Sequence, residues 1–374
     1  MDIKGHQTIY RDGEYVAFPN LAHLPDGSVI CAFRHALERQ KEFGRVTHID
    51  PTARDVFVVS RDGGKTFDSE LNVIVDDPDM SDQDPCVNVL TDGRIIVTYF
   101  RWALVPVGKG PETWGEDLFK RFGRTLHNRY DCYSDGVCYS ISDDNGTTWR
   151  QMSVLKPDGF VKGTAVRGNI VEMPDGSLLL PFYGAKHLNE LSRVGLMKSD
   201  DRGESWYTFS EMGFDPTGEK NYLEPNLYRT ESGRLFGLFR TQSDFLIPGV
   251  DFEKTYLNLH IAVSEDDGRT FAPVEEIDGL WGSSPFHALR LNSGKVLVTY
   301  GYRRQPFGIR AKLCDAELSD LATAEELILR DDAPNGDLGY PHSLQLADGT
   351  ILVSYYISGD DGIRKIETTI LTEN

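Results

Sequence analysis

The chain has 374 residues, of which 40% are hydrophobic, and its 39 basic against 58 acidic residues give a formal net charge of −19. Because this charge repels nucleic acid and anionic membrane surfaces, we expect neither as a partner, although a local cluster of arginines can still bind one small anion. The five cysteines have no metal-ligand or redox spacing, and no apolar stretch is long enough to span a bilayer.

The N-terminal residues give the first expectation along the chain. The sequence MDIKGHQTIYRDGEYV lacks the basic start and the apolar run of a secretory signal. We therefore expect a cytoplasmic protein.

A glycine turn followed by aliphatic, β-branched or aromatic residues recurs six times. The copies are LPDGSVICAF (24–33), LTDGRIIVTYF (90–100), MPDGSLLLPFYG (173–184), TESGRLFGLFR (230–240), LNSGKVLVTYG (291–301) and LADGTILVSYY (346–356). Each copy is typical of the turn and second strand of a β-hairpin, and the 55 to 83 residues between successive turn glycines suit a unit of four strands. The sequence predicts an all-β fold, a six-bladed β-propeller of four-stranded antiparallel blades that forms a single domain over residues 1–374.

A second phrase lies between these copies and has the pattern Ser-x-Asp-x-Gly, then Thr or Ser, then Phe or Trp. It occurs as SRDGGKTF (60–67), SDDNGTTW (142–149), SDDRGESW (199–206) and SEDDGRTF (264–271). Its Asp can accept backbone N–H bonds in a turn, its Gly can take positive φ, and its aromatic ring can pack on the sheet. We interpret the phrase as a folding device that leads into the fourth strand of a blade.

The fifth and sixth units lack this phrase. The fifth has CDAELSDLATAEE (314–326) in its place, and the sixth runs into the C-terminus. Because a closed ring needs a complete last blade, we expect the N-terminal segment GHQTIYRDG (5–13) to supply the missing strand.

Two stretches, 35–55 and 101–135, are longer than plain blades require. Long loops in a compact repeat fold are often functional, so we expect both to lie over the central face of the propeller. The alternative is that they are surface loops without a function.

The inner strands of a propeller line its axis, so the residues that begin them are candidates for a site. The six starts are AFPN (17–20), DQDP (82–85), AVRGN (165–169), YLEPN (222–226), SSPFH (283–287) and GYPH (339–342). Glu224 and Arg240 lie on neighbouring strands of one blade, and Tyr340 begins the sixth. A carboxylate beside a phenol can accept its proton and make the oxygen nucleophilic. A tyrosine buried against a glutamate for packing alone is the plainer alternative.

These segments resemble the sialidase, or neuraminidase, superfamily. The repeated Ser-x-Asp phrase resembles its Asp-box, the mark of BNR repeats, and the six-unit layout covers essentially the whole chain. The segment YLEPNLYRTESGRLFGLFRTQ (222–242) resembles the one that supplies a Glu and, one hairpin later, an Arg. The segment GYPHSLQLADGTILVSYY (339–356) resembles the one that supplies a Tyr.

The resemblance implies an exo-acting glycoside hydrolase that removes a terminal acidic sugar, sialic acid or a related one, with retention. Tyr340 would be the nucleophile, Glu224 its base, and Arg240 one of three arginines that hold the substrate carboxylate. A neutral phenol suits such a substrate, because two like charges about 4 Å apart repel by about 4 kcal/mol at an effective dielectric near 20. Tyrosine glycosidases of this kind are an exception to the usual pair of carboxylates.

Position alone suggests the remaining roles. A further carboxylate clamp would be Arg303, or failing that Arg304 or Arg310. The acid/base is expected in the long first loop, where Asp50 in THIDP is the candidate and Glu38 the substitute.

The first blade departs from the superfamily pattern. Sialidases have an aromatic-Arg-Ile-Pro phrase where this chain has VAFPN, which places Ala17 at the position of an arginine. Arg34, Arg101 or Arg167 can refill the position from another strand. Otherwise the substrate is not sialic acid, or activity is lost.

Several further residues are candidates for substrate binding that the resemblance does not explain. They are Asp84, His48, Trp102, His287 and His342. They leave two alternatives open. One is a uronate lyase or a glycosidase that uses His and Asp, and the other is a non-catalytic propeller that binds glycans by stacking them on Trp102, Trp114 and Trp281.

The sequence contains no nucleotide-binding loop, zinc-ligand spacing or redox pair, so we expect no cofactor and no catalytic metal. Acidic turns leave a structural Ca²⁺ open. The expected partner is a carbohydrate that ends in an acidic sugar, and neither the linkage nor the oligomeric state follows from the sequence.

Overall fold

The computed structural model describes residues 1–44, 47–243, 255–281 and 284–373. Within these ranges the strands form six antiparallel sheets. Neighbouring sheets contact one another in chain order, and the innermost strand of the first sheet contacts that of the last. The molecule is therefore an all-β, six-bladed β-propeller, as the six glycine-turn repeats predict.

The strands have the following bounds. The N-terminal strand is β1 (Asp2–Tyr10), and blade 1 contains β2 (Tyr15–His23), β3 (Val29–Ala36), β4 (Arg54–Ser60) and β5 (Asn72–Val75). Blade 2 contains β6 (Met80–Val89), β7 (Ile95–Pro106), β8 (Arg124–Leu126), β9 (Tyr130–Ser142) and β10 (Arg150–Gln151). Blade 3 contains β11 (Lys162–Ala165), β12 (Val171–Glu172), β13 (Leu178–Ala185), β14 (Arg193–Ser199) and β15 (Tyr207–Gly213).

Blade 4 contains β16 (Lys220–Arg229), β17 (Leu235–Ser243), β18 (Asn258–Ser264) and β19 (Glu275–Trp281). Blade 5 contains β20 (Phe286–Arg290), β21 (Val296–Tyr302), β22 (Gly308–Cys314) and β23 (Glu326–Arg330). Blade 6 contains β24 (Gly339–Gln345), β25 (Ile351–Ser358) and β26 (Arg364–Thr372). The helices of the described ranges are short: α1 (Gln40–Phe43), α2 (Gly110–Trp114) and α3 (Glu116–Phe122).

Burial on both faces explains the hydrophobic runs of the second strands. Every residue of β3 and of β25 is buried. On β3, Cys31 and Phe33 pack in the cluster shared with blade 6, whereas Ile30 and Ala32 pack in the cluster shared with blade 2. A strand between two neighbouring blades therefore has no solvated face that would need polar residues.

The N-terminal strand closes the ring. The last sheet has the order β1, β26, β25, β24, and β1 pairs antiparallel with β26 from Asp2 opposite Thr372 to Tyr10 opposite Ile366. Ile9 and Tyr10 are buried in the cluster between blades 6 and 1. The prediction that the N-terminal segment completes the last blade is confirmed.

The Ser-x-Asp phrase forms the same turn in four blades, between the third and fourth strands. In the first copy, Asp62 Oδ1 accepts hydrogen bonds from Ser60 Oγ at 2.8 Å and from the Thr66 amide at 2.9 Å, while the Gly64 amide donates to Ser60 Oγ at 2.8 Å. The closing aromatic residues Phe67, Trp149, Trp206 and Phe271 pack on the buried clusters. The interpretation as a folding device agrees with these contacts.

The two long stretches leave the sheets at the end where β2 and β6 begin. The first contains α1, and its residues 45 and 46 lie outside the described ranges. The second is partly strand, because β7 continues to Pro106, and only 107–129 form an insertion with α2, α3 and β8. The two stretches meet where the Phe43 ring stacks on His127 at 5.1 Å. Their position over the central face stays a prediction.

None of the helices in the described ranges has the length and apolarity of a membrane span. The five cysteines are all buried and unpaired. Burial raises the pKa of Cys86 to about 12, which keeps its thiol protonated at neutral pH.

Candidate functional site

Four inner strands contain the same backbone corner. In each, the residue before a proline has positive φ, and the register with the second strand shifts at this point: Phe18 (61°), Asp84 (56°), Glu224 (46°) and Tyr340 (53°). Non-glycine residues seldom take positive φ, and a following proline restricts them further, so each corner costs conformational energy. Such an irregularity re-aims a side chain. Tyr340 contacts both Glu224 and the ring of Phe18, so the corners of three blades converge.

Tyr340, Glu224 and Arg240 form one buried cluster. The Tyr340 hydroxyl donates to Glu224 Oε1 at 2.5 Å. Arg240 Nη1 donates to Glu224 Oε2 at 2.7 Å and to the Tyr340 hydroxyl oxygen at 3.0 Å. Each side chain belongs to a residue that is less than a tenth exposed. The structure thus brings together three residues that are distant in the sequence, since Glu224 and Tyr340 are 116 positions apart.

The electrostatics of this cluster keep the phenol protonated at rest. Burial and the Glu224 charge raise the pKa of Tyr340 well above its ordinary value, against the opposing effect of Arg240. The Glu224 charge also raises the pKa of Arg240 in spite of the burial that opposes it. A Tyr340 oxygen that attacks a substrate must therefore lose its proton as the new bond forms, and Glu224 Oε1 is placed to accept it.

Arg303 is a second arginine that lies beside Tyr340. Its guanidinium carbon is 5.5 Å from the centre of the Tyr340 ring, and Nη2 donates to the Tyr356 hydroxyl at 3.1 Å. The two substitutes lie elsewhere. Arg304 stacks on Trp281 at 4.0 Å, and Arg310 donates to backbone carbonyls, including that of Pro306 at 3.2 Å. Of the three clamp candidates in this segment, the structure brings only Arg303 to Tyr340.

Arg34 lies in the first blade on the strand that pairs with that of Ala17. It lies directly across from Ala17 on β3, as Arg240 lies directly across from Leu223 on β17. Its side chain is fully buried, Nη2 donates to the Thr47 carbonyl at 3.4 Å, and Nε and Nη1 have no hydrogen-bond partner among the described residues. Burial lowers the pKa of Arg34. Of the three arginines that could refill the first-blade position, Arg34 lies opposite Ala17, and its role in binding a substrate stays a prediction.

Arg167 also reaches the centre, but as a link between blades. Its Nη2 donates to the carbonyls of Pro19 at 2.8 Å and Tyr340 at 3.2 Å, and its Nη1 donates to that of Phe18 at 3.4 Å. These bonds hold the corners of blades 1 and 6. The guanidinium is therefore committed to backbone oxygens.

Arg101 and Trp102 lie away from the Tyr340 cluster. Arg101 donates to Asp135 at 2.6 Å and to Asp77 at 2.8 Å. The Trp102 ring is covered by the Arg124 guanidinium at 4.4 Å. Neither residue contacts Tyr340, Glu224 or Arg240 within the described residues, and their predicted role in substrate binding stays a prediction.

Both acid/base candidates of the first loop already accept hydrogen bonds from other residues of the protein. Asp50 is 1% exposed, its Oδ1 accepts from the Thr52 amide at 2.9 Å, and its Oδ2 accepts from Arg39 Nε at 3.1 Å. Glu38 accepts from the Gln40 amide at 2.7 Å and from Arg364 at 3.2 Å. A carboxylate that already accepts two such bonds must rearrange before it can protonate a substrate.

His48 borders the first-blade side of the cluster. Its ring stacks on Phe18 at 5.7 Å, and Nε2 is 3.8 Å from Asp337. Loss of solvation lowers the pKa of His48, against the attraction of the Asp337 carboxylate, although about half of the side chain remains accessible (48%). At neutral pH the ring is therefore uncharged and available for hydrogen bonding.

His287 and His342 are structural. Their rings lie 3.9 Å apart, His342 Nδ1 accepts from the Leu21 amide and His287 Nδ1 accepts from the Ser343 amide, each at 3.1 Å. Burial lowers the pKa of His287 to about 3 and that of His342 well below its ordinary value. Both are neutral acceptors that satisfy inner-strand amides. No group of three or more His, Cys, Asp or Glu side chains in the described part of the chain is arranged to hold a metal ion.

Asp84 stands at the corner of blade 2. It is 3% exposed, and within the described residues no donor forms a hydrogen bond to its carboxylate. Burial raises its pKa to about 7, although the nearby Arg167 charge lowers it. The side chain is thus a central carboxyl that titrates near neutrality and is free to contact a ligand.

Sequence reasoning missed two residues of this site. Phe18 shares the corner of Tyr340 and packs against its ring at 4.6 Å. Asp337 accepts from Arg364 at 2.8 Å and from the Tyr356 hydroxyl at 3.1 Å. The X-Pro dipeptide common to four inner-strand starts could have identified Phe18, whereas no local pattern distinguishes Asp337.

Comparison with known proteins places the molecule among related folds. Residues 101–353 match a family model described as BNR repeat-like domain. Among curated proteins, none matches the sequence. A crystal structure of a protein of unknown function from Dyadobacter fermentans is 30% identical, covers 100% of this chain and 99% of that chain, and superposes with a TM-score of 0.86.

Two glycoside-processing proteins share the fold at low identity. The leech intramolecular trans-sialidase, solved with 2,7-anhydro-Neu5Ac, is 15% identical, with 99% of this chain and 70% of that chain covered and a TM-score of 0.67. The α-L-arabinanase from Penicillium chrysogenum, solved with arabinobiose, is 13% identical, with 100% and 99% covered and a TM-score of 0.65. At these identities the similarity shows the fold alone.

Proposed function

Because the chain belongs to the family of BNR repeat-like domains and has a sialidase-like propeller fold, we propose that it is an exo-acting glycoside hydrolase that removes a terminal acidic sugar. The sugar is sialic acid or a related one, and the reaction proceeds with retention of configuration. The observation that carries this proposal is the Tyr340 hydroxyl, which donates to Glu224 Oε1 at 2.5 Å beside the Arg240 guanidinium.

The cluster supplies a nucleophile and a base. The Tyr340 oxygen attacks the anomeric carbon, and its proton passes to Glu224 as the bond forms, since the resting phenol is protonated. Arg240 donates to the phenol oxygen and can stabilise the negative charge that develops there. Water then hydrolyses the glycosyl-tyrosine, and the two inversions give net retention.

An acidic substrate explains why the nucleophile is a phenol. A carboxylate nucleophile would repel a sugar that carries a carboxylate on its anomeric carbon, whereas a neutral phenol does not. Arg240 and Arg303 give the surroundings of Tyr340 positive charge, and Arg34 acts together with Arg240 on the Asp84 carboxyl. Guanidinium groups bind carboxylates through two parallel bonds and stay charged at every relevant pH. The trans-sialidase with a related fold was solved with a sialic acid derivative.

The partners of two arginines favour a second candidate, the hydrolysis of a neutral sugar. Arg167 is committed to backbone carbonyls, and Arg303 donates to the Leu338 carbonyl at 2.9 Å and to the Tyr356 hydroxyl. A site with fewer available arginines has less to offer a carboxylate. The arabinanase with a related fold was solved with arabinobiose, a neutral sugar.

The proposal is tested by measuring the turnover of an acidic and a neutral glycoside by the wild-type protein and by Tyr340→Phe. The wild-type protein should hydrolyse the 4-nitrophenyl α-glycoside of N-acetylneuraminic acid, and Tyr340→Phe should lower kcat by a factor on the order of 10³ or more. Tyr300→Phe is the matched control, because Tyr300 is a buried tyrosine of blade 5 that donates to the exposed Glu326 at 2.6 Å. Its activity should stay near that of the wild type.

Two results would contradict the proposal. Undiminished turnover by Tyr340→Phe would remove the tyrosine nucleophile. Turnover of 4-nitrophenyl α-L-arabinofuranoside without turnover of the sialoside would replace the acidic substrate with the neutral one.

A further inference from the structure

The proposed reaction needs a group that protonates the leaving oxygen and later deprotonates water. Tyr340 and Glu224 are used at the anomeric carbon, and they hydrogen-bond to each other. Asp50 and Glu38 already accept bonds from Arg39 and Arg364. The machinery described so far therefore lacks an available proton donor.

The backbone corner of blade 2 supplies a candidate proton donor, Asp84. This corner has the same geometry as the one that positions the nucleophile Tyr340. Glu224 lies on β16 of blade 4, Tyr340 on β24 of blade 6 and Asp84 on β6 of blade 2, each with positive φ before a proline and with the same register shift. Three alternate blades of a six-bladed ring lie about the axis as a triangle. Since two of these corners bring their side chains into contact at the centre, the third directs the Asp84 carboxyl toward the same space.

The Asp84 carboxyl also lacks a hydrogen-bond donor among the described residues, as does the buried Asp55 of β4, which does not lie at one of the corners. No described residue donates to it, in contrast to the carboxylates of Glu224, Asp50, Glu38 and Asp337. A buried polar group is normally hydrogen-bonded, so a central carboxyl without a partner indicates a place where a ligand completes the bonding.

We propose that Asp84 is the acid/base of this site, an inference that rests on the proposed hydrolase function. In the first half of the reaction, the bond between the anomeric carbon and the leaving oxygen breaks, and the Asp84 proton passes to that oxygen. At the same time the Tyr340 oxygen bonds to the anomeric carbon and its proton passes to Glu224. In the second half, water attacks the anomeric carbon, its proton passes to Asp84, the bond to Tyr340 breaks, and the phenolate takes back the proton from Glu224.

The charges around Asp84 suit this alternation. The ionisable groups that act on it come from several blades: Arg34, Asp55, Cys86, Arg167, Tyr183, Glu224, Arg240 and Tyr340. Burial holds its pKa at about 7, so that the carboxyl is protonated below neutrality and can lose its proton near it. His48, whose pKa is lowered, is uncharged at neutral pH and is the poorer acid.

Leaving-group dependence in Asp84→Asn tests the inference. 4-Nitrophenolate is a good leaving group and departs without being protonated. Methoxide is a poor leaving group and must receive a proton as the glycosidic bond breaks. Asp84→Asn should therefore keep kcat/KM for the 4-nitrophenyl sialoside within about tenfold of the wild type and lose about 10²- to 10⁴-fold on the methyl sialoside. Asparagine tolerates positive φ, so the corner is expected to fold. Sodium azide, which attacks without a base, should raise kcat of Asp84→Asn on the 4-nitrophenyl sialoside and yield a glycosyl azide.

The pH profile gives an independent readout. The alkaline limb of kcat/KM near pH 7 in the wild type should be absent in Asp84→Asn. Asp82→Asn is the matched control, because Asp82 is a buried carboxyl two residues earlier on β6 whose pKa burial also raises to about 7. It should keep the wild-type ratio of the two substrates.

Each outcome decides one of the two claims. Equal losses by Asp84→Asn on both substrates would overturn the acid/base role and leave only substrate contact. The leaving-group signature in Asp50→Asn instead would also overturn it. An inactive Tyr340→Phe together with a fully active Asp84→Asn would overturn the inference while the proposed function stands. Absence of turnover by the wild-type protein on every glycoside would overturn both.

Discussion

At the scale of single residues, the centre of the propeller contains backbone conformations and a buried charge that are energetically unfavourable. Glu224, Asp84 and Tyr340 hold positive φ before proline, and Arg34 is a fully buried cation with two nitrogens unpartnered among the described residues. Such strain persists only where the surrounding structure enforces it, and it concentrates at functional sites. The inter-blade bonds of Arg167 are part of that enforcement.

Buried carboxyls of blade 2 make stability depend on pH. Burial raises the pKa of Asp84 and of Asp82 to about 7 from values near 4 in an unfolded chain. Between about pH 4 and pH 7 the folded protein therefore binds more protons than the unfolded chain, and the free energy of unfolding falls as the pH rises. Below about pH 4 these two groups no longer change it.

Asp84→Asn should flatten this dependence. Asparagine carries no charge to bury, so at pH 8 the variant should be more stable than the wild type, by up to an order of 4 kcal/mol, and at pH 4 nearly equal to it. Urea unfolding followed by tryptophan fluorescence at both pH values measures the difference. The same stability difference from wild type at pH 4 and pH 8 would show that the Asp84 carboxyl does not titrate in this range.

The sequence was sufficient for the residues that local patterns mark. The YLEP and GYP segments identified Glu224 and Tyr340, because they stand at the starts of inner strands and resemble sialidase segments. The engagement of Asp50 was not predictable, since it depends on Arg39 and Thr52 folding back onto it. The position of Arg34 opposite Ala17 depends on strand register, which no local motif encodes.

At the scale of elements, the Ser-x-Asp turn joins neighbouring blades as well as neighbouring strands. A Cβ on its glycine would meet the preceding blade in each of the four copies: Gly64 meets Leu352, Gly146 meets Phe57, Gly203 meets Ile96 and Gly268 meets Leu196. All four glycines have positive φ, and Gly64, Gly203 and Gly268 are also needed because they approach the preceding blade closely. This explains why it recurs in blades whose central residues differ.

Gly203→Ala should destabilise the protein without affecting the site. Its Cβ would lie 2.4 Å from Ile96 Cδ1, in a fully buried side chain, and φ is +88°. Positive φ and overpacking together should lower the free energy of unfolding by about 2–4 kcal/mol. Gly218→Ala is the matched control, because its φ is +72° and no atom lies within 4 Å of the new Cβ. The measurement is urea unfolding of both variants, and equal losses would show that contact with blade 2 is unimportant.

The fold was predictable because each repeat is locally encoded. Glycine turns, hydrophobic second strands and Ser-x-Asp turns occur in contiguous segments, and their spacing fixed the number of blades. The insertion between β7 and β9 was harder to predict, because the strands continue to Pro106 and from Tyr130 and its helices are too short for a periodic signal. The contact of Phe43 with His127 joins two insertions that are far apart in sequence.

At the scale of the whole molecule, one strand holds the ring closed. β1 supplies the outer edge of blade 6, and the two ends of the chain share one sheet. Ile9 and Tyr10 are buried, and the Tyr10 ring packs on Phe33 of blade 1 at 5.0 Å. The strand therefore links the last blade to the first through both backbone bonds and side-chain packing.

Removal of residues 2–10 should open the ring of blades at the junction between blade 6 and blade 1. Burial of Ile9 and Tyr10 contributes roughly 3–6 kcal/mol, and the deletion leaves β26 as an unpaired edge that favours aggregation. We expect a lower melting temperature, a broader transition and loss of turnover, because Tyr340 begins the blade that loses its outer strand. Deletion of residues 2–4 alone removes exposed side chains and is the matched control.

A peptide of residues 1–13 should restore the truncated protein. Because β26 is the one described strand that β1 pairs with, the peptide can add to the open edge as a separate strand, and the melting temperature should rise with peptide concentration. A peptide with Ile9→Asp and Tyr10→Asp keeps the backbone bonds but cannot bury these positions, so it should fail. Recovery by both peptides would assign closure to backbone pairing alone. A truncated protein with unchanged melting temperature and turnover would show that the remaining three strands of blade 6 hold the ring without β1.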